Sequence, residues 1–295
     1  MTLVNSGNNL MVTGIPCLNL DITLDCGQTF RYIKGKDGFW RAPVGNRILE
    51  VKQESPSVFE EEWEERKGRY VKKGEGSASL LFLNMDDMEF REKWIHYFDL
   101  EEDYRTLCEP FQEDPALWDA YVSCYGIRVL NQEPWETLCT FLISQNNNIP
   151  RIKGITERLC RQYGEPLSDT WHAFPEPDIL APLTEEDLAP LKSGYRAGYI
   201  IDAARKVAGG ESDLDYINSL PLEEAEKEIR EIKGVGPKVA QCYLLFGGEK
   251  RSAFPKDVWV KRILSELYPE GLPECTSDVE GIAQQYLFHW RRMLK

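Results

Sequence analysis

Two side chains of opposite charge stand out in the C-terminal third of this 295-residue chain: Lys238, at the head of KVAQCYLLF, and Asp257, nineteen residues on in FPKDVWV. Lys238 follows Gly234-Val235-Gly236-Pro237 and so falls in the first turn of a new helix, with proline at its favoured first position. A cation there opposes the helix dipole and gains nothing from it. Partly desolvated beside that positive end, the amine is expected to have a lowered pKa and to be available as a nucleophile at neutral pH. The ordinary reading, an exposed lysine that binds phosphate, stands beside it. Asp257 directly precedes the apolar-periodic VWVKRILSEL, which makes it a natural N-cap. A carboxylate held by cap hydrogen bonds stays ionised, and such an anion stabilises positive charge building on a sugar as a glycosidic bond breaks.

The elements that must hold this pair are helices. Leu222, Ala225, Ile229 and Ile232 mark the inner face of a helix ending at Lys233; a GVG turn and the Pro237 helix follow, giving a helix-hairpin-helix over about 222–248. Gly234 and Gly236 let a strand approach the backbone, and the free N–H groups of the second helix's first turn suit a phosphate. Gly-x-Gly-Pro between helices is also often only a tight turn. Upstream, Trp135, Leu138, Cys139, Leu142 and Ile143 share one helical face, as do Ile152, Ile155 and Leu159 before Gly164. A helix is expected from about Tyr195 to Val207, closed by Gly209-Gly210, and the proline-rich, acidic stretch 165–190 reads as a connector with at most short helices. The first hundred residues alternate apolar with polar: LDITLDCGQTFRYIKG, FWRAPV and RILEVKQE read as strands, broken by turns at Lys36-Asp37-Gly38 and Gly45-Asn46. The expected fold is α+β, with an antiparallel sheet domain over 1–110 and a helical domain over 111–295.

Net charge is −14, which at first opposes a nucleic-acid partner. The charge is unevenly spread, however. Residues 250–262 carry a net +4, and 151–163 and 192–206 carry +3 each, while acid gathers in 60–65, 99–114, 176–187 and 223–231. Such runs are usually solvated helix faces, so they remove the objection without making the case. Eight scattered cysteines form no CxxC pair and no Cys/His cluster, which argues against zinc or iron–sulfur chemistry and for reduced, packed thiols. No apolar run reaches the roughly 18 residues a membrane span needs, and the N-terminus lacks a signal pattern, so an intracellular monomer is expected.

KGVGPKVAQC with FPKDVWV resembles the lysine-bearing helix-hairpin-helix DNA glycosylases, and four further stretches make the chain similar to the 8-oxoguanine DNA glycosylase/AP lyase family within them. CGQTFRY (26–32) is similar to a segment whose glycine carbonyl accepts N7–H of the oxidised base, a role that falls to Gly27; N7 of guanine itself carries no hydrogen. FLISQNNNIPRIKG resembles a helix junction in which Asn146 fills the space left by the flipped base and Arg151 reads the orphaned cytosine. SGYRAGYI is similar to a wedge, with Tyr195 pressed into the strand and Arg196 a second donor to that cytosine. GIAQQYLFHW implies that Phe288 stacks on the base opposite Cys242, with Gln284 on its Watson–Crick edge. By residue type alone, Gly27 is equally a strand bulge, the asparagines a loop or cap, and Tyr195 and Phe288 core residues. Trp259 departs from the family, which commonly has histidine there; contact with the phosphate beside the lesion then falls to Lys256 or the hairpin amides.

The resemblance implies a bifunctional enzyme acting on duplex DNA that carries 8-oxoguanine opposite cytosine. Lys238 would displace the base and form a Schiff base, and β-elimination would cut the strand. No cofactor is required; a structural cation on carbonyls near Ile232 and Val235 is implied by the family alone. Two other readings stay open: a monofunctional alkylpurine glycosylase, whose aspartate supports attack by water, and a DNA-binding module without activity.

Overall fold

The computed structural model describes residues 1–55, 63–66, 69–72, 74 and 76–294, with backbone alone for 63–66 and 69–72. Side chains of the acidic run 60–65 therefore lie outside the described residues.

Six antiparallel strands form one sheet in the order β1-β2-β8-β5-β4-β3: β1 (Thr2–Ser6), β2 (Asn9–Ile15), β3 (Ile33–Lys34), β4 (Trp40–Val44), β5 (Arg47–Gln53) and β8 (Ala78–Phe82). Strands β6 (Trp63–Arg66) and β7 (Arg69–Lys72) pair separately. The expected turns are present. Val44 pairs with Arg47 across Gly45-Asn46, and Gly38, at φ +85°, closes the turn between β3 and β4. Period-two burial places Leu49, Val51, Ala78, Leu80 and Phe82 in the core.

The alternation in LDITLD misleads. Leu20–Asp25 is a helix, α1, because Asn19 Oδ1 accepts from the Ile22 amide at 3.2 Å, and Leu20, Thr23 and Leu24 fall on one buried face. Residues 26–32 then run without regular structure before β3. Helical backbone also begins earlier than composition suggests: Asp87–Tyr97 is continuous helix with a π-helical stretch at Phe90–Trp94.

The helices that matter for the site are α2 (Pro134–Ser144), α3 (Ile149–Tyr163), α4 (Arg196–Ala208), α5 (Leu222–Ile229), α6 (Pro237–Phe246), α7 (Val258–Leu267) and α8 (Glu280–Met293). The connector 165–190 holds only Pro177–Leu180 and a 3₁₀ turn from Ala189 as helix. Sheet and helices share one contiguous apolar core. Two buried polar side chains lock them together. Gln28 Nε2 donates to the Thr23 and Arg128 carbonyls at 2.8 Å each, while its Oε1 accepts from Leu130 N–H at 2.8 Å. Arg128, fully buried, donates to the carbonyls of Pro16, Cys17, Asp99 and Glu102. A buried guanidinium satisfied by carbonyls on both sides holds the sheet's first loop against the helices. Seven of the eight cysteines are buried and all are free thiols.

Candidate active site

The hairpin owes its shape to Gly234. Its φ of +88° belongs to glycine, and a Cβ there would lie 2.4 Å from the Tyr199 ring. Gly236 is different, with φ −85° and open space around it. Gly234→Ala should therefore destabilise the fold by roughly 2–4 kcal/mol, combining left-handed strain with overpacking, whereas Gly236→Ala should leave the denaturation midpoint nearly unchanged. Equal midpoints for the two variants in urea would contradict this account of the turn. Within the turn, Val235 N–H donates to the Ile232 carbonyl (3.0 Å) and Gly236 N–H to the Gly234 carbonyl (3.1 Å). The first-turn amides of Lys238 and Val239 are left without intrahelical partners, as at any helix start.

Pro237 opens α6, and Lys238 follows, half-buried. Its Nζ lies 5.2 Å from the Phe141 ring centroid and 3.4 Å from Ser144 Oγ, both on α2. Phe141 is itself stacked on Phe246 at 5.4 Å, so α2 and α6 fix the ammonium between them. Asp257 caps α7: Oδ1 accepts from Val260 N–H at 2.7 Å. Cys242 sits one turn below Lys238 and is 3% exposed. Burial, followed by the Asp257 charge, pushes its thiol up against the lowering effect of Lys238, so it remains a neutral, soft contact.

The three asparagines of 146–148 each solve a different backbone problem. Asn147 Nδ2 donates to the Ile143 carbonyl (3.1 Å) at the end of α2. Asn148 Oδ1 caps α3 by accepting from Arg151 N–H (3.0 Å). Asn146, between them, is exposed and takes the left-handed conformation at φ +46°, which asparagine tolerates.

A cavity of about 740 Å³ brings much of the expected site together. Gly27, Asn146, Lys238, Lys256, Asp257, Trp259 and Phe288 all line it. Gly27 has φ +92°, and a Cβ on it would stand 3.6 Å from Phe288 Cε1. Four cations (Lys238, Lys256, Lys261, Arg292) and one carboxylate (Asp257) face this space, against the acidic average of the chain. It therefore concentrates positive potential where a polyanion would enter.

Other expected residues stand apart from the cavity wall. Cys242 and Gln284 are buried outside its lining; Gln284 is 4% exposed and its Oε1 accepts from Gln285 Nε2 at 2.7 Å. Tyr195, 52% exposed, lies at the rim with its hydroxyl 3.5 Å from the Gln145 carbonyl and its ring edge-on to Tyr199. Arg151 is exposed and donates to the Lys192 carbonyl at 3.4 Å. Arg196, 3% exposed, donates to the carbonyls of Gln145, Asn146 and Ser193. Its guanidinium holds the asparagine loop. Sequence reading missed Phe141, Ser144, Arg292 and the positioning residues Gln28 and Arg128, whose partners are distant in the chain.

Residues 12–138 match the family described as 8-oxoguanine DNA glycosylase, N-terminal domain, and residues 139–280 match the HhH-GPD superfamily of base excision DNA repair proteins. The chain is 39% identical over 269 residues to an N-glycosylase/DNA lyase of Saccharomyces cerevisiae, covering 83% of this chain and 67% of the relative. It is 30% identical over 287 residues to a probable N-glycosylase/DNA lyase of Methanothermobacter thermautotrophicus, covering 83% and 90%. Among solved structures it is similar to the Clostridium acetobutylicum 8-oxoguanine glycosylase/lyase in complex with double-stranded DNA containing cytosine opposite 8-oxoguanine. That match has a TM-score of 0.85 and 32% identity over 100% of this chain and 98% of the other.

Proposed function

Because the chain belongs to the N-glycosylase/DNA lyase family of base excision repair proteins, we propose that it removes 8-oxoguanine from opposite cytosine in duplex DNA, with Lys238 as nucleophile and Asp257 as the stabilising carboxylate. The observation that carries this reading is the single cavity lined by Lys238, Asp257, Gly27 and Phe288. A flipped nucleotide in it would place C1′ near the amine, the base against Phe288, and N7–H toward the Gly27 carbonyl. Once Lys238 Nζ has given up a proton to solvent, its lone pair forms the bond to C1′ as the C1′–N9 bond breaks; the bonding electrons leave with the base, which is then protonated. Asp257 stabilises the positive charge on the sugar during that step. Ring opening gives a Schiff base, and loss of a C2′ proton expels the 3′ phosphate.

Around the cavity, Asn146 occupies the vacated space in the duplex, Tyr195 wedges the strand, and Arg151, with Arg196, reads the orphaned cytosine. Cys242 packs on the face of the base opposite Phe288, and Gln284 contacts its Watson–Crick edge. Lys256 and the free first-turn amides that follow the Gly234–Gly236 turn hold phosphate, taking the part that Trp259, a donor through its indole N–H alone, does not. The Ile232 and Val235 carbonyls suit a hard cation: both are oxygen donors, and Ile232 retains a second lone pair beyond its bond to Val235 N–H. Among the described residues no helix is long and apolar enough to cross a membrane, and the enzyme would work in whichever compartment holds the DNA.

Single-turnover excision from duplexes carrying 8-oxoguanine opposite each of the four bases tests the reading. Cytosine should be preferred, and Arg151→Ala should flatten that preference by roughly 5- to 150-fold, the worth of one bidentate base contact. Absence of base release from all four duplexes would refute the proposed substrate; an undiminished preference in Arg151→Ala would remove Arg151 from its role.

A further inference from the structure

Arg292, in the last turn of α8, is a cation of the cavity wall that the reaction so far leaves unused. Its position at a helix C-terminus is favourable to a cation, which explains an arginine there but not where its head points. The guanidinium turns back over the Phe288 ring, with Cζ 5.4 Å from the centroid. Nη1 would be 3.7 Å from a Cβ on Gly27. That same Nη1 is shielded from solvent and reaches no acceptor in the protein. Two of its titratable neighbours supply no charge. The Cys26 thiol is pushed up to about 11, chiefly by burial, and burial followed by the Arg292 charge lowers the His289 imidazole, so both stay neutral near pH 7. A buried N–H donor without a partner, in the wall of a ligand cavity, marks a place where the ligand brings the acceptor.

Resting on the function proposed above, we infer that Arg292 is a base-contacting residue that donates through Nη1 to the C8 carbonyl oxygen of the extruded 8-oxopurine and stabilises the base as it leaves. The geometry follows from Gly27. If the glycine carbonyl takes N7–H, the oxygen on the adjoining C8 comes close to Gly27, beside which Nη1 lies. The electron count gives the contact a purpose. When C1′–N9 breaks, the bonding pair passes to N9 and is shared through C8 onto O8, so negative charge grows on the oxygen that the guanidinium faces. A charge-assisted hydrogen bond tightens as that charge develops, and so acts more on the transition state than on binding. Unmodified guanine has no O8. Arg292 would then discriminate at the chemical step as well as in the resting complex.

The test is single-turnover base release from an 8-oxoguanine:cytosine duplex by wild type, R292Q and R292K, paired with strand cleavage at a preformed abasic site, which has no base to hold. The expected result is a 10- to 100-fold slower release in R292Q, partial recovery in R292K, and abasic-site cleavage within about twofold of wild type. Release within twofold of wild type in R292Q overturns the proposal, and so does a parallel loss of both activities, which marks a structural role. The C8 assignment is read separately by affinity. In a Lys238→Gln background, adding R292Q should narrow the preference for 8-oxoguanine:cytosine over guanine:cytosine duplexes; an unchanged ratio overturns the contact with O8. Base release that persists undiminished in Lys238→Gln alone would strike instead at the underlying mechanism.

Discussion

Lys238→Gln should lower single-turnover release of 8-oxoguanine by at least about 10³-fold and remove strand scission with it, because the amide keeps the side chain's length and loses its nucleophilic nitrogen. Little else should change. The ammonium lies between the Phe141 ring and Ser144 Oγ without an ion-pair partner among the described residues, so its loss leaves no buried charge exposed. A cooperative unfolding transition close to that of wild type would separate chemistry from stability. Retained base release at the wild-type rate would remove Lys238 from the reaction.

The second large effect is expected at Asp257. This residue has two tasks that substitution can separate. Asparagine caps a helix about as well as aspartate, so Asp257→Asn should keep the 2.7 Å acceptor for Val260 N–H and fold normally while its charge is lost. Base release should fall roughly 10²–10³-fold, the range seen when a preorganised electrostatic group is removed from a reacting centre. Asp257→Ala should show the same kinetic loss plus about 1 kcal/mol of destabilisation from the missing cap. If Asp257→Asn released base as fast as wild type, the carboxylate would be a cap alone.

The catalytic end of the molecule was readable because its information is local. The Gly-Val-Gly-Pro turn, the lysine after it and the capping aspartate occupy two short segments whose turn and cap chemistry determine their backbone. The asparagine run was equally transparent as a break between helices, although which asparagine took the left-handed position needed coordinates. The sheet was legible at β4 and β5, where period-two burial and the two-residue Gly45-Asn46 turn coincide. LDITLD was not, because six residues satisfy both periods, and a cap from Asn19 with Thr23 bonded to the Gly126 carbonyl decided for helix. Gln28, Arg128 and Arg292 were missed for a common reason. Their meaning lies in contacts across a hundred residues or more, such as Gln28 with Arg128 and Arg292 with Gly27, and no local pattern encodes those. Arg196 shows the opposite case: a motif names the residue, yet its guanidinium is engaged with loop carbonyls, which no motif foretells.

Covalent attachment of Lys238 to the sugar is tested most directly by borohydride reduction during turnover. Digestion and mass spectrometry of the reduced complex should place the deoxyribose adduct on Lys238 and on no other amine. An adduct on Lys256 or Lys261, which line the same cavity, or full base release with no adduct, would contradict the account.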